Sequence, residues 1–135
     1  MFDVIREIGA ITRLIQTKSN AEFRSIGLDN NAFIYVIRAC EQPGMFMGEL
    51  ADSVQIDRTT AFRTLQKMVT AGWFELRPDA KDKRLRRVYP TAKATALYPR
   101  LHAFEQARSA HLLSGLTPVE REQLTRLIKK LKTES

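Results

Sequence analysis

The stretch from Asp57 to Thr91, DRTTAFRTLQKMVTAGWFELRPDAKDKRLRRVYPT, decides the fold. In its first part Ala61, Leu65 and Met68 fall at i, i+4 and i+7, with Thr64 and Val69 beside them, so this side of a helix faces a core. Arg58, Thr59, Phe62, Arg63, Gln66 and Lys67 are left outside. Asp57 stands as the N-cap, although Thr60 occupies the place where a capping box uses Glu or Gln. Gly72 supplies the stop. Two strand-like runs, Trp73 to Arg77 and Leu85 to Tyr89, then flank a tip from Pro78 to Arg84, which predicts a long-looped hairpin. Between Arg77 and Arg87 six cations (Arg77, Lys81, Lys83, Arg84, Arg86, Arg87) outnumber two acids, Asp79 and Asp82. A polar-faced helix followed by a cationic hairpin suits a DNA groove and its bordering phosphates.

Upstream, Val4, Ile8, Ile11 and Ile15 lie at helical spacing within Phe2 to Phe23, with Ile5 and Leu14 widening the stripe. Such a helix packs either inside its own subunit or in an intersubunit seam, and periodicity does not choose. Leu28-Asp29 opens a second helix, capped by Asp29, on which Phe33, Val36, Ile37 and Cys40 form the apolar side. Pro43-Gly44 ends it. A short third helix runs from Phe46 to Ser53, and Val54-Gln55-Ile56 turns the chain into Asp57. Ala51 is small where two helices cross closely.

Downstream, Thr91 caps a long helix to Leu113 bearing Leu97, Leu101, Phe104 and Ala107, and Pro99 predicts a kink or break near Ala96 to Pro99. Thr117-Pro118-Val119-Glu120 is a capping box with Pro at the first helical position. Leu124, Leu127, Ile128 and Leu131 follow at i, i+3, i+4 and i+7, leaving apolar surface to cover. Lys129, Lys130 and Lys132 suit the negative end of that helix.

With 135 residues the chain is read as one domain, residues 1–135, large enough to bury a core. A formal charge of +7 favours a polyanionic partner. The lone Cys40 excludes an internal disulfide, and no apolar run spans a bilayer, so a soluble, cytoplasmic protein is expected. Cys40 closes an apolar stripe and reads as an inert thiol. His102 and His111 are too far apart on one helix to share a metal, and no ligand cluster or cofactor motif is present. Catalytic motifs are absent as well, so no enzymatic role is expected.

On the exposed helix face, Arg58, Thr59, Thr60, Phe62 and Arg63 reach base edges, with Lys67 nearer the phosphates. Phe62 has two readings, an outward base contact or packing against Met47. Lys81, Lys83 and Arg86 serve phosphates.

The same residues carry a resemblance. Asp82, Arg84 and Thr91 match the wing pattern of the MarR family of bacterial transcription regulators, Glu49-Leu50-Ala51 resembles its first motif helix, and Ala71 to Glu75 resembles the turn out of its recognition helix. Pro90, Leu76, Ala94 and Phe46 depart from the pattern where Leu, Arg, Gly, and Ser or Thr are common. The resemblance implies a mostly α fold with a winged helix-turn-helix lobe, residues 28–91, comprising a three-helix core and a β-hairpin wing. Residues 1–25 and 92–135 become dimerisation helices, which places Ile5, Ile8, Ile11, Ile15, Leu124, Leu127, Ile128 and Leu131 in a homodimer seam. It implies that Arg84 enters the minor groove and that Asp82 braces the wing; with Leu76 in place of the usual Arg, that brace falls to Arg77, Arg86 or Arg58. The implied function is a dimeric, sequence-specific double-stranded DNA-binding repressor that recognises an inverted-repeat operator and is released by a small aromatic effector. Phe33, Tyr35, Trp73 and Phe104 are candidates to line the effector pocket, with core packing as their other reading. The alternative function is a winged helix used as a protein-interaction module.

Overall fold

The computed structural model describes residues 2–132, mostly as helix. The order is α1 (Phe2–Phe23), α2 (Ala32–Glu41), β1 (Met45–Phe46), α3 (Met47–Ser53), α4 (Arg58–Thr70), β2 (Phe74–Pro78), β3 (Arg86–Pro90), α5 (Ala92–Leu112) and α6 (Pro118–Lys132), with a 3-10 turn at Arg24–Ile26. The chain divides into two compact units, one up to His102 and one from Ala103 onward. The boundary between these units falls inside α5.

In the first unit, α1 buries only its end, where Ser19 and Phe23 are covered. The Phe23 ring sits 5.6 Å from that of Phe33 on α2. Gly27, at φ 79°, turns the chain in the left-handed region that glycine enters without a Cβ clash. Helix α2 begins later than the sequence suggested. Asn30 and Asn31 both take left-handed φ, 55° and 65°, and Asn31 is the N-cap rather than Asp29. Its side chain caps nothing. Instead its amide donates to Asn20 Oδ1 of α1 at 2.8 Å, so the Asn-Asn turn is fixed by a neighbouring helix that local sequence cannot reveal.

α3 and α4 form the helix-turn-helix. Ala61, Leu65 and Met68 of α4 are buried, as their spacing predicted, and so are Leu50 and Ala51 of α3. Asp57 accepts the Thr60 amide at 3.0 Å, which satisfies one of the unpaired N–H groups at the start of α4. At the start of α3 only half of a box exists: the Phe46 amide donates to Glu49 Oε1 at 2.9 Å, and the Phe46 ring has nothing to accept with. Gly72, at φ 87°, ends α4.

The sheet has three strands in the order β1-β3-β2, all antiparallel. β1 was not anticipated: two residues give no period, and only the pairing of Met45 with Val88 and Phe46 with Arg87 defines them. The hairpin strands start one residue later than expected, so the tip is Asp79 to Leu85. Gly44, buried at φ 89°, passes so close to the wing that a Cβ there would meet the Tyr89 hydroxyl at 3.2 Å. Thr91 locks the wing base to α5. Its hydroxyl donates to the Gly72 carbonyl at 2.6 Å and accepts the Ala94 amide at 3.4 Å. Ala94 is fully buried in place of the Gly common in the resembling family.

Of the kink or break expected near Pro99, the break does not occur: α5 runs through it. Proline removes one N–H from the ladder, and the rest of the helix continues without it. In the second unit, the capping box of α6 closes as read, with the Thr117 amide on Glu120 Oε1 at 2.9 Å and the Glu120 amide on Thr117 Oγ1 at 3.2 Å. Every described residue of α6 is exposed.

Candidate nucleic-acid interface

Helix α4 turns Thr59, Arg63, Gln66 and Lys67 outward, opposite its buried side. Among the described residues Arg63 and Lys67 have no ion pair, so both cations are available to an outside partner. Arg58 differs. Its Nη2 donates to Asp52 Oδ2 at 2.8 Å and its Nε to Asp52 Oδ1 at 3.3 Å, laying the side chain across α3. Gly48 makes room, since a Cβ there would stand 3.1 Å from the guanidinium carbon. Thr60 is also engaged, its hydroxyl 3.3 Å from the Asp57 carboxylate as part of the cap. Thr59 is therefore the freer hydroxyl for base contact. Gln66, outside the predicted site set although its outward position was read, belongs with these residues: a Gln amide pairs with adenine through two hydrogen bonds.

The wing exposes Lys81, Lys83, Arg84 and Arg86. Its brace is not the expected one. Asp82 pairs with Arg84 within the tip, Nε at 3.1 Å and Nη2 at 3.2 Å, rather than with Arg77, Arg86 or Arg58. Arg77 is held by Glu75 at 3.1 Å and stacks 4.3 Å from the Tyr89 ring centre. The long-range tie is Asp79 to Arg87. Arg87 Nε donates to Asp79 Oδ1 at 2.9 Å, its Nη1 donates to the Gly44 carbonyl at 2.7 Å, and its guanidinium lies 4.1 Å from the Phe46 ring centre. One side chain thus joins the wing tip to the segment that leads into α3. Asp79 Oδ2 also accepts the Lys81 and Asp82 amides at 3.1 and 3.0 Å. Asp79 thus closes an Asx-type turn.

These contacts set the carboxylates' charge. The Asp82 amide and then the Arg87 guanidinium hold Asp79 below the usual carboxylate range. Asp82 is lowered by the Arg84 side chain and amide, and Asp52 by Arg58.

Between wing and helices lies a groove of about 590 Å³ lined by Phe46, Met47, Gly48, Glu49, Arg58, Phe62, Gln66, Arg84, Leu85 and Arg86. Both readings of Phe62 meet here. It lines the groove with Met47 and remains 37% exposed.

Elsewhere, Phe33, Tyr35 and Trp73 are core residues, 7%, 1% and 5% exposed, while Phe104 belongs to the second unit. Cys40 is half-buried, and burial followed by the Glu41 charge pushes its thiol up, away from the reactive thiolate. Among the described residues no His, Cys, Asp and Glu cluster is arranged to hold a metal, and no helix is long and apolar enough to cross a membrane. Ile5, Ile8, Ile11 and Ile15 of α1 are 38–72% exposed, and Leu124, Leu127, Ile128 and Leu131 of α6 are 39–57% exposed.

Comparison with known proteins accounts for this arrangement. The family model described as MarR family matches residues 27–85. An uncharacterised HTH-type transcriptional regulator of Bacillus subtilis, YybA, is 33% identical over 98% of this chain and 88% of its own. A putative MarR family transcriptional regulator from Listeria monocytogenes, solved with a 26mer DNA, superposes with a TM-score of 0.92 at 34% identity, over 96% of this chain and 86% of that one. The transcriptional regulator SlyA gives the same TM-score of 0.92 at 33% identity, over 97% and 92% of the two chains. These relatives are regulators rather than enzymes. The chain belongs to the MarR family of helix-turn-helix transcriptional regulators.

Proposed function

We propose that this regulator is a cytoplasmic homodimer that binds double-stranded DNA in a sequence-specific way and acts as a repressor released by a small aromatic effector. The carrying observation is that α4 presents Thr59, Arg63 and Gln66 beside a wing whose Lys81, Lys83, Arg84 and Arg86 are all exposed. Helix donors at this spacing suit base edges, and a cationic hairpin suits the neighbouring phosphates and the minor groove. The Listeria relative in complex with DNA supports this use of the fold. Exposed apolar residues on α1 and on α6 support dimerisation, since burying them repays their exposure to water. Two copies related by a two-fold axis present their helices to major grooves one helical turn apart, so the operator is an inverted repeat. Effector release and repression follow the family's habit.

Duplexes recovered from a randomised pool, retitrated at several salt concentrations, test this reading. The recovered sites should be inverted repeats bound by two chains, with affinity falling steeply against log salt. Recovery of no preferred duplex contradicts it.

A further inference from the structure

The groove between α4 and the wing combines features that a purely electrostatic cradle does not need. Its wall holds Met47, Phe62 and Leu85, the last two 37% and 43% exposed, and three arginines share its lining. Two of those arginines are held by acids, Arg58 by Asp52 and Arg84 by Asp82. This matters because arginines readily cover aromatic faces in this protein, as Arg87 does on Phe46 and Arg77 on Tyr89. Among the described residues no arginine covers Phe62 in this way. Its ring stays 37% exposed in a groove lined by arginines, beside the 43% exposed Leu85, so the two leave a small apolar surface for an occupant to cover.

The occupant needs anionic groups for the arginines and an apolar projection for the ring. A DNA strand passing between a helix in the major groove and a wing over the adjacent minor groove has both. Among the bases, thymine alone projects a methyl group into the major groove. On α4, Phe62 lies between Arg58 and Gln66 on the flank facing the wing, while Thr59 and Arg63 occupy the outward centre. The strand bordering the groove therefore meets this flank.

We propose that Phe62, backed by Met47 and Leu85, is a specificity-determining residue that reads the 5-methyl group of one thymine in each half-site. The acid-held Arg58 and Arg84 keep the apolar wall open, and Arg86, which no acid holds among the described residues, is left for the phosphates of the same strand. This assignment rests on the DNA-binding reading above and adds a specific base contact to it.

The test uses the full-length protein and the tightest duplex recovered from a randomised pool. Each thymine is replaced singly by deoxyuridine, which removes the methyl and keeps every hydrogen-bonding group. The expected result is one position per half-site where the wild type loses about fourfold in affinity, the worth of one buried methyl-sized group. Phe62→Ala should bind thymine and deoxyuridine duplexes equally at that position, and Phe62→Leu should retain part of the preference. The proposal is overturned if no deoxyuridine position weakens the wild type, or if Phe62→Ala keeps the full preference. Failure of the wild type to select any duplex would instead overturn the DNA-binding reading itself.

Discussion

At the scale of single residues, the interface separates cations that are free to act from cations already employed. Arg63 has no protein partner among the described residues, so Arg63→Ala should cost operator binding about 1–3 kcal/mol in a salt-controlled titration and leave the melting temperature unchanged. Arg58 is tethered to Asp52 at 2.8 Å, and Asp52→Asn should free its charge. We expect tighter binding to random duplexes and a salt slope steeper by roughly one phosphate contact. An unchanged slope would show that the tether holds no charge in reserve. Asp79 gives a pH prediction. Its folded pKa is depressed, so its contribution to wing order is complete above the unfolded carboxylate value and is lost as pH falls through the depressed one. The wing tip should hold at neutral and mildly acidic pH and loosen only as pH falls below the ordinary carboxylate range, read from the chemical shifts of the Lys81 and Asp82 amides. Asp79→Asn should bring the loosening to neutral pH. What the sequence disclosed at this scale was residue type and exposure. Which acid meets which arginine was hidden, because Asp79 and Arg87 are brought together by the hairpin and Gly44 by the strand beside it.

At the scale of elements, periodicity and capping were legible wherever the determining residues lie within one helix. α1, α4 and α6 fall where their apolar spacing and caps place them, and the Thr117–Glu120 box closes with both hydrogen bonds. Thr117→Ala should lower stability by about 1 kcal/mol, the usual worth of an N-cap, measured by denaturant unfolding. Elements defined by a partner were not legible. β1 exists because Met45 and Phe46 pair with β3, and the start of α2 is set by an Asn31 amide held from α1. At Pro99 the helix runs on unbroken, because a single missing N–H is a smaller cost than the hydrogen bonds the rest of α5 retains. The wing brace shows the same division. Arg87→Ala removes the link from the tip to the Gly44 carbonyl and to Phe46, and should weaken binding to all duplexes alike, because it disturbs the position of the wing and reads no base. Arg87→Lys keeps the charge but not the fork, and should rescue little of the loss.

At the scale of the whole molecule, the exposed apolar stripes and the positive charge are the features on which the proposed dimer and its DNA contact rest. Phe2, Val4, Ile5, Ile8, Ile11, Leu14 and Ile15 on α1, and Val119, Leu124, Leu127, Ile128 and Leu131 on α6, all stand in solvent in a single chain. In the proposed homodimer a second copy covers them, which would remove that cost and set two recognition helices at a fixed spacing. Leu127→Glu should shift the protein toward monomer in sedimentation and, through loss of the second half-site contact, weaken operator binding far more than binding to a half-site. The central claim is that two copies together grip one inverted repeat. Its most direct measurement is the mass of the complex on a selected duplex, determined by sedimentation equilibrium alongside a salt titration. The account predicts two chains per duplex and an affinity that falls steeply with log salt. A single chain in solution with no affinity for duplex DNA at low ionic strength would contradict it.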